Sequence, residues 1–184
     1  MIPAPEIKLA LRAQRSSDLL RVEFTVTNEG RQPYYVFTCA GGPQRSALPH
    51  RAYTAFREQE EALHLSLALA LVPRGRSVLT RIVPLSTFLQ PGDRHTDFLK
   101  VPIPVPEWQP YYQEQTEEVD IVQARRLLLS SEYFTHESLF RPPVWDDQVS
   151  YFRAFGGESF PISATLELEE PLPVLKRRDG FERF

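Results

Sequence analysis

The chain has 184 residues, of which 42% are apolar and 24% charged, and its formal net charge is −3. This composition is typical of a soluble globular protein, and the small net charge excludes the concentrated basic surface expected of a nucleic-acid-binding protein. Proline is abundant, with 17 residues, while glycine is scarce, with 8. Because proline is excluded from helix interiors and central strands, this composition favours a fold of short β elements.

The sequence carries no sign of a membrane or secretory segment. The single cysteine, Cys39, excludes an internal disulfide. No window approaches the ~18 consecutive apolar residues of a membrane-spanning helix, and the first residues lack the basic and continuously apolar regions of a signal peptide. These features predict a cytoplasmic protein without a membrane partner.

The first half of the chain is dominated by residues that alternate between apolar and polar, the pattern of half-buried strands. Residues 7–13 form a first predicted strand and residues 20–26 a second, with Phe24 facing the core. A turn at residues 28–30 leads to a third strand over residues 34–37. This pair of strands is the expected nucleus of an antiparallel sheet.

The pattern then changes several times. Residues 40–57 are predicted to form a loop and residues 58–61 one helical turn. Five leucines alternate through residues 63–71, which predicts a strand despite the helical propensity of leucine and alanine. Leu67 is expected in the core, and His64 on the opposite, surface-exposed or second face.

A further strand is predicted over residues 77–83, followed by a turn at residues 90–93. Residues 98–105 are extended, but their alternating prolines limit hydrogen bonding and place them at a sheet edge. A last strand is predicted over residues 160–168, and the basic residues 176–178 are expected to be solvated.

Two segments are less regular. Residues 107–120 contain five acidic residues and no basic residue, together with Trp108, Tyr111 and Tyr112. Residues 119–134 suit either a helix within 116–128 or a strand over 125–134, and the strand is favoured. Residues 136–157 are predicted to form a long aromatic-rich irregular segment, a kind of loop that is usually functional or self-packed.

Together these elements predict an all-β protein: one antiparallel sandwich over residues 1–184 with at most two short helices and irregular, aromatic-rich segments at 107–120 and 135–160. The run from Leu20 to Val36, with its core VTNEGRQPYYV, resembles the opening strands of bacterial immunoglobulin-like β-sandwich modules, among them intracellular proteinase-inhibitor domains. The resemblance implies a fold and carries no information about activity.

Catalytic and metal-binding patterns are weak. None of the four histidines has zinc-like spacing to another histidine or to Cys39. The run from Gly92 to Asp97 places two carboxylates near His95, but a solvated polar turn explains it better than a metal or acid–base site. No serine lies in a G-x-S-x-G motif, and Cys39 at a strand end is expected to be a small core residue. No cofactor or metal is predicted.

The predicted function is therefore non-enzymatic protein binding, as an inhibitor, adaptor, chaperone or immunity factor. Aromatic anchors beside carboxylates are suited to a partner with a basic patch. The predicted binding residues are Trp108, Tyr111, Tyr112, Glu114, Glu117, Glu118 and Trp145.

Three alternatives remain at this point. A carbohydrate- or small-ligand-binding sandwich would use Trp108, Tyr111, Tyr112 or Trp145 as stacking platforms. A hydrolase or metal enzyme on the same scaffold would need a cleft with converging histidines and carboxylates. Finally, the acidic segment could be a solvated connection whose aromatics fold back onto the sandwich.

Overall fold

A computed structural model describes residues 6–42, 46–70, 72–75, 78, 82–112, 116–135, 144–146, 149–153, 159–179 and 181, with backbone alone for 144–146 and 149–153. Within these residues the protein is almost entirely β structure, with one short 3-10 helix at Glu58–Glu60. The strands are β1 (Ile7–Arg15), β2 (Leu19–Asn28), β3 (Tyr34–Gly41), β4 (Ala47–Leu48), β5 (Tyr53–Arg57), β6 (Ala62–Ser66), β7 (Leu85–Leu89), β8 (Arg94–Pro102), β9 (Val105–Pro106), β10 (Val119–Thr135), β11 (Val144–Asp146), β12 (Val149–Arg153) and β13 (Ser159–Arg177).

The smaller of two sheets has three antiparallel strands in the order β1-β2-β8. Because β3 belongs to the larger sheet, the predicted pairing of the strand over 20–26 with the strand over 34–37 is wrong. Burial alternates along β1 and β2, as the sequence pattern predicts for half-buried strands. The inward side chains of β2 belong to the main core: Leu20, Val22, Phe24 and Val26. The outer face carries the polar and charged residues of the same strands.

The larger sheet has ten strands and is organised by β10. This strand pairs with β13 on one side, while its other side pairs first with β6, in parallel, and then with β3. A bulge between Ala124 and Arg126 interrupts the β10–β13 register. The result is a sandwich-like arrangement of two sheets around one principal core.

Part of the larger sheet closes on itself. β5 pairs with β6, β6 with β10, β10 with β13, and β13 with β9. The chain leaving β9 returns to β5, where Trp108 and Thr54 form an isolated antiparallel bridge. The circuit of paired strands is therefore complete. We call the place where it closes, at the Thr54–Trp108 bridge between β5 and the chain after β9, the seam; the strand edges that would otherwise be open there are covered.

Burial confirms the predicted core positions. Leu67 and Phe24 are each 1% exposed, and Cys39 is buried at the end of β3. Strand β3 is buried along its whole length. The reason is that its second face has an apolar cluster of its own, formed by Tyr35, Phe37 and Phe134.

Several predictions for residues 40–83 are wrong. β3, β4 and β5 occupy much of the predicted loop over 40–57. The leucine alternation over 63–71 forms a strand only as far as Ser66, whose hydroxyl accepts a bond from the Ala68 N–H at 3.2 Å and starts a bend. Most of the strand predicted over 77–83 lies outside the described residues, and Val78, Ile82 and Val83 are not in a strand. Strand β7 was not predicted.

The turn at 90–93 and the edge position of the proline-rich segment are confirmed. The Asp93 N–H donates to the Gln90 carbonyl at 3.0 Å, and Gly92 has a φ of 86°, which glycine adopts without steric cost. β8 lies at one edge of the smaller sheet, and β9 ends the main path of the larger one.

The ambiguous segment 119–134 is a strand, so the helix considered within 116–128 is wrong. β10 has 17 residues. Pairing with β13 along its first half, and with β6 from Arg126 onward, overrides the helical propensity, because paired strands satisfy backbone groups that a helix would otherwise satisfy internally.

The prediction of an irregular segment over 136–157 is wrong where the structure describes it, because β11 and β12 pair there as antiparallel strands. The predicted last strand is extended in β13 to Arg177. The expected solvation of residues 176–178 is wrong for Arg177, which is 8% exposed, whereas Lys176 is half-buried and Arg178 is exposed. In the described part of the chain, no helix is long and apolar enough to cross a lipid bilayer.

Candidate functional site

The seam that closes the larger sheet is held by a buried carboxyl group. Glu107 is 3% exposed and lies between two strands that diverge there. The Phe56 N–H of β5 donates to its Oε1 at 2.7 Å, and the Arg177 N–H of β13 donates to its Oε2 at 2.7 Å. One side chain thus satisfies backbone donors of two strands that do not pair directly, which fixes the path of the residues beside it.

Trp108 follows at the surface of the same seam. Its N–H and carbonyl bond to the Thr54 backbone at 2.9 and 2.8 Å. The Arg51 guanidinium lies 4.7 Å from the centroid of the indole ring and covers one of its faces. A guanidinium stacked on an aromatic face keeps N–H groups at its edge for other partners, so Trp108 positions Arg51.

The residue before Arg51 has an unusual backbone. His50 has a φ of 59°, a left-handed conformation that is uncommon outside glycine. It is held by three contacts: its ring stacks on Phe98 at 4.1 Å, its Nδ1 lies 3.1 Å from the Phe98 carbonyl, and its own carbonyl accepts the Lys100 N–H at 2.8 Å. Backbone strain that is held in place by several contacts is often found at functional sites.

Arg51, Glu107 and Trp108 border a cleft of about 540 Å³ between the end of β8 and the segment that contains β9 and Trp108. The volume is in the range of small-ligand and peptide pockets, about 300–1,000 Å³. Apolar side chains form much of its wall: Val101, Pro102, Pro104, Val105, Pro106 and Leu175. Arg51, Lys100 and Arg177 contribute positive charge, and Glu107 is the carboxyl group in the lining.

The three cations of the cleft differ in their surroundings. Arg177 is buried, forms an ion pair with Asp179 and lies near the Tyr112 and Phe181 rings. Its pKa is raised, mainly by the hydrogen bond to Asp179. Arg51 and Lys100 are exposed, and neither forms an ion pair within the described residues.

The predicted binding residues are only partly brought together. Trp108 lines the cleft. Tyr111 is 8% exposed and its hydroxyl accepts the Ile82 N–H at 2.9 Å, while Tyr112 packs against Phe181 at 5.0 Å. These two tyrosines support the seam from inside.

The predicted acidic residues and the second tryptophan are placed as follows. Glu117 and Glu118 are exposed and lie between Thr116 and Val119, both of which line the cleft. Glu114 lies outside the described residues, as does the side chain of Trp145, whose backbone is in β11.

The structure provides a counter-charge for one residue of the acidic segment and buried backbone donors for another. Glu107 accepts two backbone bonds, and Asp120 pairs with Arg178. The pKa of Asp120 is lowered, first by its hydrogen bond to Arg178. The segment's counter-charge comes from the end of β13, which the antiparallel register places beside the start of β10.

For His64 the second-face alternative is confirmed and surface exposure is wrong, whereas the prediction of a solvated turn at His95 needs correction. His64 is buried on the second face of β6, where its Nδ1 accepts the Arg57 Nε–H at 3.2 Å and its Nε2 lies 2.6 Å from the Ser130 hydroxyl. His95 is in β8 rather than in a solvated turn, and burial lowers its pKa despite the nearby charge of Asp97. The Asp97 Oδ1 lies 3.5 Å from His50 Nδ1.

Within the described residues no group of three or more histidine, cysteine or acidic side chains is arranged to hold a metal ion. The residues that sequence reasoning missed are His50, Arg51 and Lys100. His50 and Arg51 lie in the predicted loop, and Lys100 lies in the predicted edge segment. The alternating prolines that follow Lys100 are the one sequence signal that could have drawn attention to this place. Comparison with known protein families, curated proteins and solved structures finds no match to this chain.

Proposed function

We propose that the protein is a non-enzymatic binding module that holds a segment of another protein in the cleft beside Trp108. The observation that carries this proposal is the cleft, which combines an apolar wall, an aromatic residue and two exposed cations. Aromatic and arginine side chains that border an apolar pocket are the residue types that dominate binding energy in protein interfaces. The proposal includes inhibitor, adaptor, chaperone and immunity-type roles in the cytoplasm, on an immunoglobulin-like variant of the sandwich.

The cleft is built on fixed backbone. The Thr54–Trp108 bridge and the two bonds to Glu107 hold one wall, and the bond from the Lys100 N–H to the His50 carbonyl holds the other. A preorganised surface loses little conformational entropy when it binds, which favours affinity.

Side-chain contacts favour protein binding over the carbohydrate alternative. Sugar recognition by stacking needs an open aromatic face, but Arg51 covers one face of Trp108. Tyr111 is buried and Tyr112 packs on Phe181. The groups most available at the cleft are therefore charged and apolar side chains.

A site-specific photo-cross-linking experiment tests this function. A photoreactive residue is placed at Pro102 or Thr116, on the cleft, and in matched variants at Glu169 or Arg12, which are exposed elsewhere. We expect irradiation in the native cell to give the same protein adduct from both cleft positions and from neither control position. Adducts that do not depend on position, or their absence at both cleft positions, would overturn the proposal.

A further inference from the structure

We infer that the partner segment is acidic: the cleft binds an extended stretch of another protein in which glutamate or aspartate side chains alternate with apolar ones. This inference rests on the proposed function and specifies the chemistry of the partner. It differs from the prediction of a basic partner, which was based on the acidic residues of segment 107–120.

The first argument is the balance of available charge. Both oxygens of Glu107, the carboxyl group in the lining, accept backbone N–H groups inside the seam. Arg177 is paired with Asp179. The exposed charges that remain on the described lining are those of Arg51 and Lys100. A ligand seated against this lining therefore meets the two positive charges of Arg51 and Lys100, which attract carboxylates. The exposed Glu117 and Glu118 lie between two lining residues and oppose this attraction from beside the cleft.

The second argument is the orientation of Arg51. Its guanidinium stacks on Trp108, so its planar face is occupied by the ring. The N–H groups at the edge of a guanidinium match the two oxygens of a carboxylate in a bidentate pair. Stacking also removes much of the side-chain freedom that an arginine loses on binding. Arg51 is thus prepared for a carboxylate before the ligand arrives.

The third argument concerns the backbone of the wall. Pro102, Pro104 and Pro106 have no N–H groups, and the Lys100 N–H already bonds to His50. This wall therefore offers few donors for an added β-strand. Recognition must come from side chains, with proline and valine surfaces contacting apolar residues and the two cations contacting carboxylates. Alternation of the two residue types in an extended segment satisfies both.

The inference is tested with three synthetic heptapeptides, acetylated and amidated at their ends. In the first, glutamate alternates with valine; in the other two, glutamine or lysine replaces the glutamate. Binding to the full chain is followed by amide and indole NMR shifts at low salt. We expect the glutamate peptide to shift the signals of Arg51, Lys100 and the Trp108 indole. The glutamine peptide should bind at least about tenfold more weakly, since charged hydrogen bonds are stronger than neutral ones.

Matched variants locate the effect. Arg51→Gln and Lys100→Gln should each weaken glutamate-peptide binding about fivefold to tenfold. Arg94→Gln, on the same strand as Lys100, and Arg12→Gln, on β1, should change it less than twofold. Circular dichroism and thermal midpoints verify that the variants are folded.

Equal binding of the glutamine peptide, or unchanged binding by Arg51→Gln and Lys100→Gln, would overturn the acidic-partner inference. The inference would also be overturned if the lysine peptide bound more tightly than the glutamate peptide. The same holds if a single-stranded oligonucleotide with the same net charge as the glutamate peptide bound more tightly than that peptide. In each case position-dependent cross-linking at Pro102 and Thr116 would still support protein binding, so failure of the inference is distinguishable from failure of the proposed function.

Discussion

Two charged regions of this protein behave differently in the fold: the acidic segment 107–120 and the pair of cations, Arg51 and Lys100, at the cleft. The acidic segment is conspicuous in the sequence, yet Glu107 is turned inward and Asp120 is paired with Arg178. The two cations are unremarkable in the sequence, yet they form no ion pair within the described residues. A run of like charge does not by itself identify the charge that a protein presents to a partner.

The difference follows from strand pairing. In the antiparallel register of β10 and β13, Asp120 lies opposite Lys176, and Val119 opposite Arg177. The basic end of β13 therefore lies beside the acidic start of β10. Lys100 lies on the edge strand β8, opposite Arg21 of β2, and Arg51 follows His50 in the loop that bonds to the Lys100 N–H. In the strand pairings of the described residues, neither cation lies opposite an acidic residue.

The largest effect is expected from removing the inward acidic group. Glu107→Ala leaves the Phe56 and Arg177 N–H groups without their acceptor in a buried seam, which should lower the free energy of unfolding by about 2–5 kcal/mol. The measurement is urea denaturation of the full chain. Glu117→Ala, an exposed neighbour in the same segment, is the control and should change stability by less than about 0.5 kcal/mol. Equal effects of the two substitutions would remove the distinction between buried and exposed acidic groups.

A smaller effect is expected from pH, through His95 on the strand that carries Lys100. Because burial lowers its pKa from 6.5, the unfolded chain binds a proton more readily than the folded protein. Stability is therefore complete above about pH 6.5 and falls as the pH is lowered, by at most about 1.4 kcal/mol per pH unit from this group.

Denaturant titrations between pH 5 and 8 measure this dependence. In His95→Gln the part of the pH dependence of the unfolding free energy that is due to His95 should disappear, and the rest of the pH dependence should remain. A slope that is identical in wild type and variant would contradict burial of His95 in its neutral form.

The next expected effect concerns the sign of the partner's charge. A triple variant should have nearly unchanged thermal stability when it combines Glu114→Gln, Glu117→Gln and Glu118→Gln. The three substitutions should leave the affinity for the glutamate peptide unchanged or slightly increased at low salt, because the substitutions at the exposed Glu117 and Glu118 remove negative charge beside the cleft. Peptide titrations at about 20 and 150 mM salt measure this. The opposite result would support a basic partner: the triple variant would bind the glutamate peptide more weakly than the wild type does, and the wild type would bind the lysine peptide more tightly than the variant does.

The smallest effect is expected from the exposed pair of Asp120 and Arg178. Solvent-exposed ion pairs contribute little to stability because water and salt screen them. Asp120→Asn should leave the thermal midpoint unchanged within measurement error, at low and at high salt. A clear, salt-dependent decrease would show that pairing of the acidic segment with the end of β13 stabilises the fold more than its exposure indicates.

The class of fold and the strands β1 and β2 follow from residue patterns that are visible in the sequence alone. Alternation along Leu20 to Val26 reports which face is buried, because a strand's side chains point to opposite sides with a period of two. The same reasoning correctly placed Phe24, Leu67 and Cys39 in the core and the turn at Gly92. These are local properties, which neighbouring residues encode directly.

The candidate site, in contrast, depends on contacts between distant parts of the chain. That Glu107 joins β5 to β13, that Arg51 stacks on Trp108 and that His50 holds Lys100 are contacts between residues about 50 to 70 positions apart in the chain. Whether a charge is paired, buried or available depends on such long-range neighbours. A single sequence does not specify them, because residue periodicity reports the direction of a side chain and not the segment that it meets.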